Sequence, residues 1–306
     1  MGGGGGGYSV GPNDMDAIKR EVEERTERSM AEAEINDLLA RELTRINFRD
    51  ADTTSRHLDE IADALGEGVD VERLNFGGSI AKHTYVDGLS DVDSLLFLSG
   101  EDVASMSPSE LREKVEGLLN ESLAKGEVSG IRVGSLAVTV SYGDGSEIQL
   151  LPAREAADGK TEISSADGSS WKAIDPRGFA RTLTKVNQDQ GGGVVPAIKL
   201  AKAIIGKLPE DARLSGYHTE ALAVAAFTGY NGPRTPREML THLFASAEKA
   251  VSRPIADSTG QSRHIDESLG SAGSEERQRA SRQLGQIARR MKAAKGADEW
   301  REIIGP

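Results

Sequence analysis

The chain has no cysteine, which excludes disulfides, a thiolate zinc site and a cysteine nucleophile. No apolar run approaches the ~20 residues that cross a bilayer. The start, MGGGGGGYSV, lacks the charged and apolar regions of a signal peptide and the hydroxyl residue of a myristoylation signal. Residues 1–12 are expected to form a disordered Gly-rich tail. The expectation is a cytoplasmic protein with no membrane partner.

Positive charge is also in deficit. The net charge is −12 with a sequence pI near 5.1. Proteins that grip long nucleic acid by its backbone need a basic surface, so an obligatory nucleic-acid partner is disfavoured. Small nucleotides remain compatible, because a pocket needs only local positive charge. One basic strip exists near the C-terminus (Arg277, Arg279, Arg282, Arg289, Arg290, Lys292, Lys295), and its plain reading is a solvated helix face.

The 306 residues suffice for one large or two modest domains. A long charged helix is expected over Asn13 to about Leu43, and a second over Thr54 to Leu65. Ser107-Pro108-Ser109-Glu110 is a capping box with proline at the first helical position. Leu136, Val138, Val140 and Tyr142 alternate as a strand, Gly143-Asp144-Gly145 turns the chain, and Glu147 to Leu151 returns it. From Asp175 onward the pattern is nearly all helix. This predicts a mixed sheet of about four or five strands carrying helices, then a helical lobe.

The most informative stretch is GGSIAKHTYVDGLSDVDSLLFL, Gly77 to Leu98. Gly77 and Gly78 let backbone approach a phosphate with no Cβ in the way. Ser79 would open a short helix whose free N–H groups and hydroxyl hold an anion. Asp91 and Asp93, two apart on a strand, point to one face. Convergent carboxylates are what paired Mg²⁺ ions need for in-line phosphoryl transfer. A Gly-Gly-Ser alone is an ordinary turn and an Asp-x-Asp alone a solvated loop. Strand, Gly-Gly-Ser, short helix, Asp-x-Asp and strand in that order are far more specific.

In that order the chain resembles the polymerase-β-like nucleotidyltransferases. Within them it is similar to the oligoadenylate synthase and cyclic GMP–AMP synthase branch, above all its bacterial members, the CD-NTases of anti-phage CBASS systems. The resemblance implies an α/β fold: a polymerase-β-like nucleotidyltransferase lobe with a mixed sheet over residues 13–160, plus a C-terminal helical lobe over 161–306, with the nucleotide between them.

It also implies roles. Gly78 and Ser79 would cradle the donor phosphates. Asp91 and Asp93 would hold two Mg²⁺ (or Mn²⁺) ions as catalytic ligands. In VVPAIKLAKAII, Lys202 would touch the triphosphate with Lys199 as helper; in RLSGYHTEALAVAAF, Tyr217 would stack on the base. The family often has serine where Gly216 stands. PIADSTGQSRHIDE resembles the late loop near the acceptor nucleotide, making Asp257, Gln261 and Arg263 candidates; an ordinary helix-linking loop is the competing reading.

The third carboxylate is the irregular point. In EIQLLPA the family aspartate position holds Gln149. Glu147 shares its face roughly 7 Å away along the strand, is longer than aspartate by a methylene, and is the expected third ligand. If Gln149 holds the position instead, the third acid is missing; Glu147 as a surface ion-pair partner also stays open. The implied function is synthesis of a cyclic di- or trinucleotide from NTPs, ATP first, in anti-phage defence. A regulatory protein partner and an effector activated by the product would go with it. The alternatives are an RNA 3′-end (CCA- or poly(A)-type) nucleotidyltransferase and an inactive nucleotidyltransferase-fold antitoxin or binding module.

Overall fold

A computed structural model of the chain describes residues 12–47, 51–66, 70–76, 82–84, 86, 92–100, 103, 105–123, 127–134, 136–156, 158–165, 168–175, 177–257 and 264–305. Two helices, α1 (Pro12–Ile46) and α2 (Ala51–Gly66), precede the strand pair β1 (Asp70–Phe76) and β2 (Val92–Ser99). Helix α3 (Pro108–Ser122) opens on the expected capping box. The Ser107 hydroxyl accepts from the Glu110 N–H, and the Glu110 carboxylate accepts from the Ser107 N–H at 2.8 Å. Strands β3 (Val128–Val133), β4 (Val138–Tyr142), β5 (Glu147–Glu155), β6 (Thr161–Ser164) and β7 (Trp171–Ile174) follow.

The sheet runs β1-β2-β5-β4-β3, with β6 paired to β5 and β7 to β6. Only the central β2–β5 pair is parallel among these pairings. Alternation sorts its two faces. Leu96, Leu98, Val138, Val140, Tyr142, Ile148 and Leu150 point one way and bury against Leu58, Ile61 and Leu65 of α2 and Leu111, Val115 and Leu119 of α3. Asp93, Glu147 and Gln149 are on the intervening positions, and so belong to the other face. Further along that face Phe97 packs with Ala153 and Ile163.

Six helices complete the described chain: α4 (Gly178–Asp189), α5 (Val194–Gly206), α6 (Gly216–Phe227), α7 (Pro236–Ala250), α8 (Glu275–Ala293) and α9 (Ala297–Ile304). They share one core, including Leu200, Ile204, Phe227, Phe244, Met291 and Trp300. Among the described residues, no helix is long and apolar enough to cross a membrane.

Three boundaries differ from the sequence expectation. The sheet continues past residue 160 through β6 and β7, so the helices begin at Gly178. β5 does not stop at Leu151: Pro152, which has no N–H to give, falls between the β4 pairing that ends at Leu150 and the β6 pairing that begins at Ala153. Finally, α1 belongs to the helical core, since its buried residues Ile35, Leu39 and Ile46 pack there. Its first half stays in solvent, with Met15, Val22 and Met30 exposed.

Candidate active site

The parallel β2–β5 pair brings the two candidate metal-binding strands side by side. Asp93 is the register partner of Gln149, and Ser94 that of Leu150. Gln149, not an acid, therefore stands beside Asp93. Glu147 sits at the start of β5 on the same face, and its Oε1 accepts a hydrogen bond from Ser141 Oγ at 2.8 Å. Gly77, Gly78, Ser79 and Asp91 lie outside the described residues, as do Gln261 and Arg263, and Asp93 is described at its backbone only. Among the described residues no three histidine, aspartate or glutamate side chains form a metal-binding group. The described donors on this face are nonetheless hard oxygens: the Glu147 carboxylate and the Gln149 amide carbonyl. That chemistry suits Mg²⁺ or Mn²⁺.

The best-defined part of the site joins the segment after the Gly-Gly-Ser turn to the helical lobe. Lys82, Thr84 and Val86 of that segment reach into the helices, where Thr84 and Val86 are fully buried. Glu220 of α6, 1% exposed, receives them. Its Oε1 takes Lys202 Nζ of α5 at 2.8 Å and the Thr84 hydroxyl; its Oε2 pairs with Lys82 Nζ. Burial alone would raise the Glu220 carboxyl, but the Lys202 and Lys82 ammoniums outweigh it and hold the group below its ordinary value. His83, between Lys82 and Thr84, has φ of 58°. This left-handed turn is unusual for a residue with a side chain, and both its neighbours bond Glu220.

Lys202, expected to touch the triphosphate, is engaged within the protein in this structure. Its ammonium is turned into the protein, where it donates to the Thr84 carbonyl at 3.0 Å, to Thr84 Oγ1 at 3.4 Å and to Glu220. In this arrangement it anchors the segment. Gly216 matters to that anchor: a Cβ there would lie 3.3 Å from Lys202 Cε and Nζ, so any side chain at this position would press on the ammonium. Lys199, a turn earlier, is half-buried and donates to Asn47 Oδ1 at the end of α1. Burial, helped by the charge of Lys202, lowers its pKa.

Tyr217, in the first turn of α6, meets the Phe179 ring edge-on with centroids 4.8 Å apart. Its hydroxyl donates to Asp257 Oδ1 at 3.0 Å. Lys82 Nζ sits 5.1 Å from the Tyr217 centroid and 5.3 Å from that of Phe179, a cation–π arrangement. Two expected nucleotide-binding residues, Tyr217 and Asp257, are thus in direct contact, and Lys82 joins Tyr217 to the Glu220 cluster. Sequence reasoning missed Lys82, Thr84 and Glu220. The signals were a lysine three residues after Ser79 and a lone acid inside the apolar run ALAVAAF and its lead-in.

No family model matches the chain. Among curated proteins it is similar to the CBASS oligonucleotide cyclase CdnC of Escherichia coli (strain KTE188), 26% identical over 195 residues. That match covers 60% of this chain and 61% of the relative, so it spans about three fifths of the relative's length. Among solved structures it is similar to Bradyrhizobium diazoefficiens CD-NTase CdnG in complex with GTP: TM-score 0.67, 18% identity, 87% of this chain and 94% of that one. It also resembles E. coli MS115-1 CdnC in its complex with HORMA-deltaN: TM-score 0.66, 14% identity, 88% of this chain and 96% of that one. A third is Vibrio cholerae DncV, a cyclic AMP-GMP synthase: TM-score 0.64, 12% identity, 96% and 90%. In sequence this chain is similar to a CBASS oligonucleotide cyclase, and in fold it matches the bacterial CD-NTase structures.

Proposed function

We propose that the chain is a nucleotidyltransferase that joins NTPs, ATP among them, into a cyclic di- or trinucleotide second messenger for anti-phage defence. The observation that carries the reading is the coupling of three sequence motifs in one fold. The Asp-x-Asp strand lies beside β5, and the segment after Gly-Gly-Ser is locked by Glu220 to the helix that presents Tyr217. Relatives of this fold are named as oligonucleotide cyclases or solved with NTPs.

In each joining step a ribose hydroxyl of one nucleotide forms a bond to the α-phosphorus of another. The bond to pyrophosphate breaks, and the hydroxyl proton leaves to solvent or a neighbouring oxygen. Gly78 and Ser79 hold the donor phosphates through backbone N–H groups and a hydroxyl. Tyr217 stacks on a base, with Asp257 against its hydroxyl, and Gln261 and Arg263 are the candidates for contact with the acceptor. Lys82 and Lys199 supply positive charge around the donor, while Lys202 and Glu220 keep the phosphate-binding segment in place. Asp91 and Asp93, with Glu147, would hold the Mg²⁺ or Mn²⁺ pair, which when bound neutralises pyrophosphate charge and acidifies the attacking hydroxyl. The last joining step closes the ring: the second for a dinucleotide, the third for a trinucleotide. A regulatory protein partner and a product-activated effector complete the proposal.

The test is incubation of the purified chain with four labelled NTPs and Mg²⁺ or Mn²⁺, followed by phosphatase. A phosphatase-resistant product from the natural chain, lost in Asp93→Asn with the melting curve unchanged, is the expected result. No resistant product, with or without candidate regulators, would overturn it. One observation favours a second reading, an inactive nucleotidyltransferase-fold binding protein: Gln149 is the register partner of Asp93. That reading predicts no product from the natural chain and product from Gln149→Asp.

A further inference from the structure

Arg277 was part of the C-terminal basic strip, yet it is fully buried in the first turn of α8. Its guanidinium serves one stretch of chain, between α7 and α8. Nε donates to the Gly270 carbonyl at 3.0 Å. One terminal nitrogen donates to the Val251 carbonyl at 3.0 Å and to Asp266 Oδ2 at 2.7 Å, and the other to the Asp266 carbonyl at 3.2 Å.

Asp266, 1% exposed, continues the chain of contacts. Its Oδ1 accepts from the Ile255 N–H at 3.1 Å. The Ile265 N–H donates to the Ile255 carbonyl at 3.0 Å, and Ala256 pairs antiparallel with His264. Asp257 is the next residue, and it holds the Tyr217 hydroxyl. On the α6 side His218, beside Tyr217 and 2% exposed, places Nε2 3.6 Å from Asp266 Oδ2. One buried carboxylate therefore reaches both sides of the Tyr217–Asp257 contact: the segment leading to Asp257, and the helix turn carrying Tyr217.

We infer that Asp266 and Arg277 are positioning residues for nucleotide recognition: their buried ion pair sets the loop so that Asp257 meets the Tyr217 hydroxyl. The inference rests on the nucleotide site proposed above. Apolar packing stabilises as well as a buried ion pair or better, whereas a fully bonded pair selects one arrangement over others. Here every partner of the guanidinium lies between α7 and α8, in the stretch that carries Asp257. Neither residue touches the nucleotide; they act through Asp257.

The experiment compares the full chain with Asp266→Asn, Arg277→Lys, Tyr217→Phe and the double variant Asp266→Asn/Tyr217→Phe. Nucleotide KM and kcat, amide exchange over residues 252–257 and 215–220, and melting curves are read together. Asp266→Asn should speed exchange at 255–257 and raise KM about tenfold, the equivalent of one charged hydrogen bond at ~1.4 kcal/mol, with kcat changed much less. Arg277→Lys should do the same more weakly. Tyr217→Phe should raise KM by a similar factor, and the double variant no further. A brace with no part in recognition would lower the melting point and leave KM untouched well below it. That outcome, or KM effects that multiply in the double variant, overturns the inference. If the natural chain makes no product, the functional reading fails separately. ATP and GTP binding by calorimetry then replaces KM, and unchanged exchange at 255–257 in Asp266→Asn overturns the inference in either case.

Discussion

Glu220→Gln probes the junction between the two lobes. Glu220 and Lys202 have side chains 1% and 6% exposed, and Lys82 is 12% exposed. The substitution keeps the volume but leaves two ammoniums without their shared counter-charge. It also turns an amide N–H₂ toward a donor that the carboxylate had accepted. Breaking a buried pair by removing one partner costs about 3–5 kcal/mol. Lys82 can reach water, and the amide oxygen still accepts from Lys202, so the low end, about 3 kcal/mol, is expected. At roughly 2 °C per kcal/mol for a chain of this size, the melting point should fall by about 6 °C. Adding Lys202→Met to Glu220→Gln should recover part of that loss, because no deeply buried ammonium is then left without its counter-charge and Lys82 can turn to water. Lys202→Met alone should cost less than Glu220→Gln, since Lys82 and the Thr84 hydroxyl still pair the carboxylate. The assay is thermal and urea unfolding of the four proteins as a double-mutant cycle, with nucleotide joining measured beside it. A Glu220→Gln protein melting within about 1 °C of the parent, or single losses that simply add in the double variant, would refute the claim that this cluster holds the lobes together.

On β5, Glu147→Gln should cut product formation by orders of magnitude while Gln149→Ala has a smaller effect; a harmless Glu147→Gln with activity raised by Gln149→Asp would assign the ligand position to residue 149. Tyr217→Ala should weaken apparent NTP affinity by about 1–3 kcal/mol, measured by calorimetry, and unchanged affinity would make Tyr217 a packing residue only. Burial, with a smaller contribution from the Arg277 charge, holds His218 at about 4, although Asp266 pulls the other way. Below the ordinary histidine range the unfolded chain then binds a proton that the folded chain refuses, so stability is full above pH ~6.5 and falls as pH drops toward 4, by at most about 3 kcal/mol. Melting curves from pH 7.5 to 4.5 should show this slope in the parent and lose it in His218→Asn.

The local motifs were legible because each rests on short-range chemistry. Ser107 and Glu110 close a capping box wherever they start a helix, and both side chains do so here. Val138, Val140 and Tyr142 face one core because a strand alternates whatever it pairs with. β3 was not foreseen, and its exposure explains why: with two adjacent exposed residues in mid-strand it lacks clean alternation. The short α9 was missed as well, though its Trp300 is fully buried in the helical core.

By itself, then, the sequence determined the order of motifs and the α/β-then-helical plan, and it proposed Asp91, Asp93 and Glu147 as oxygen donors. These depend on residue type and spacing along the chain. Only the tertiary structure decided that Gln149 rather than Glu147 stands beside Asp93, because strand register comes from pairing between distant segments. It also decided that Lys202 turns inward to Glu220 and Thr84, 118 residues away in sequence from the latter. A lysine on an amphipathic helix looks the same in sequence whether it meets a phosphate, water or a buried carboxylate. Which of these it meets depends on the element that packs across from it, and here that is α6 with the segment around Thr84.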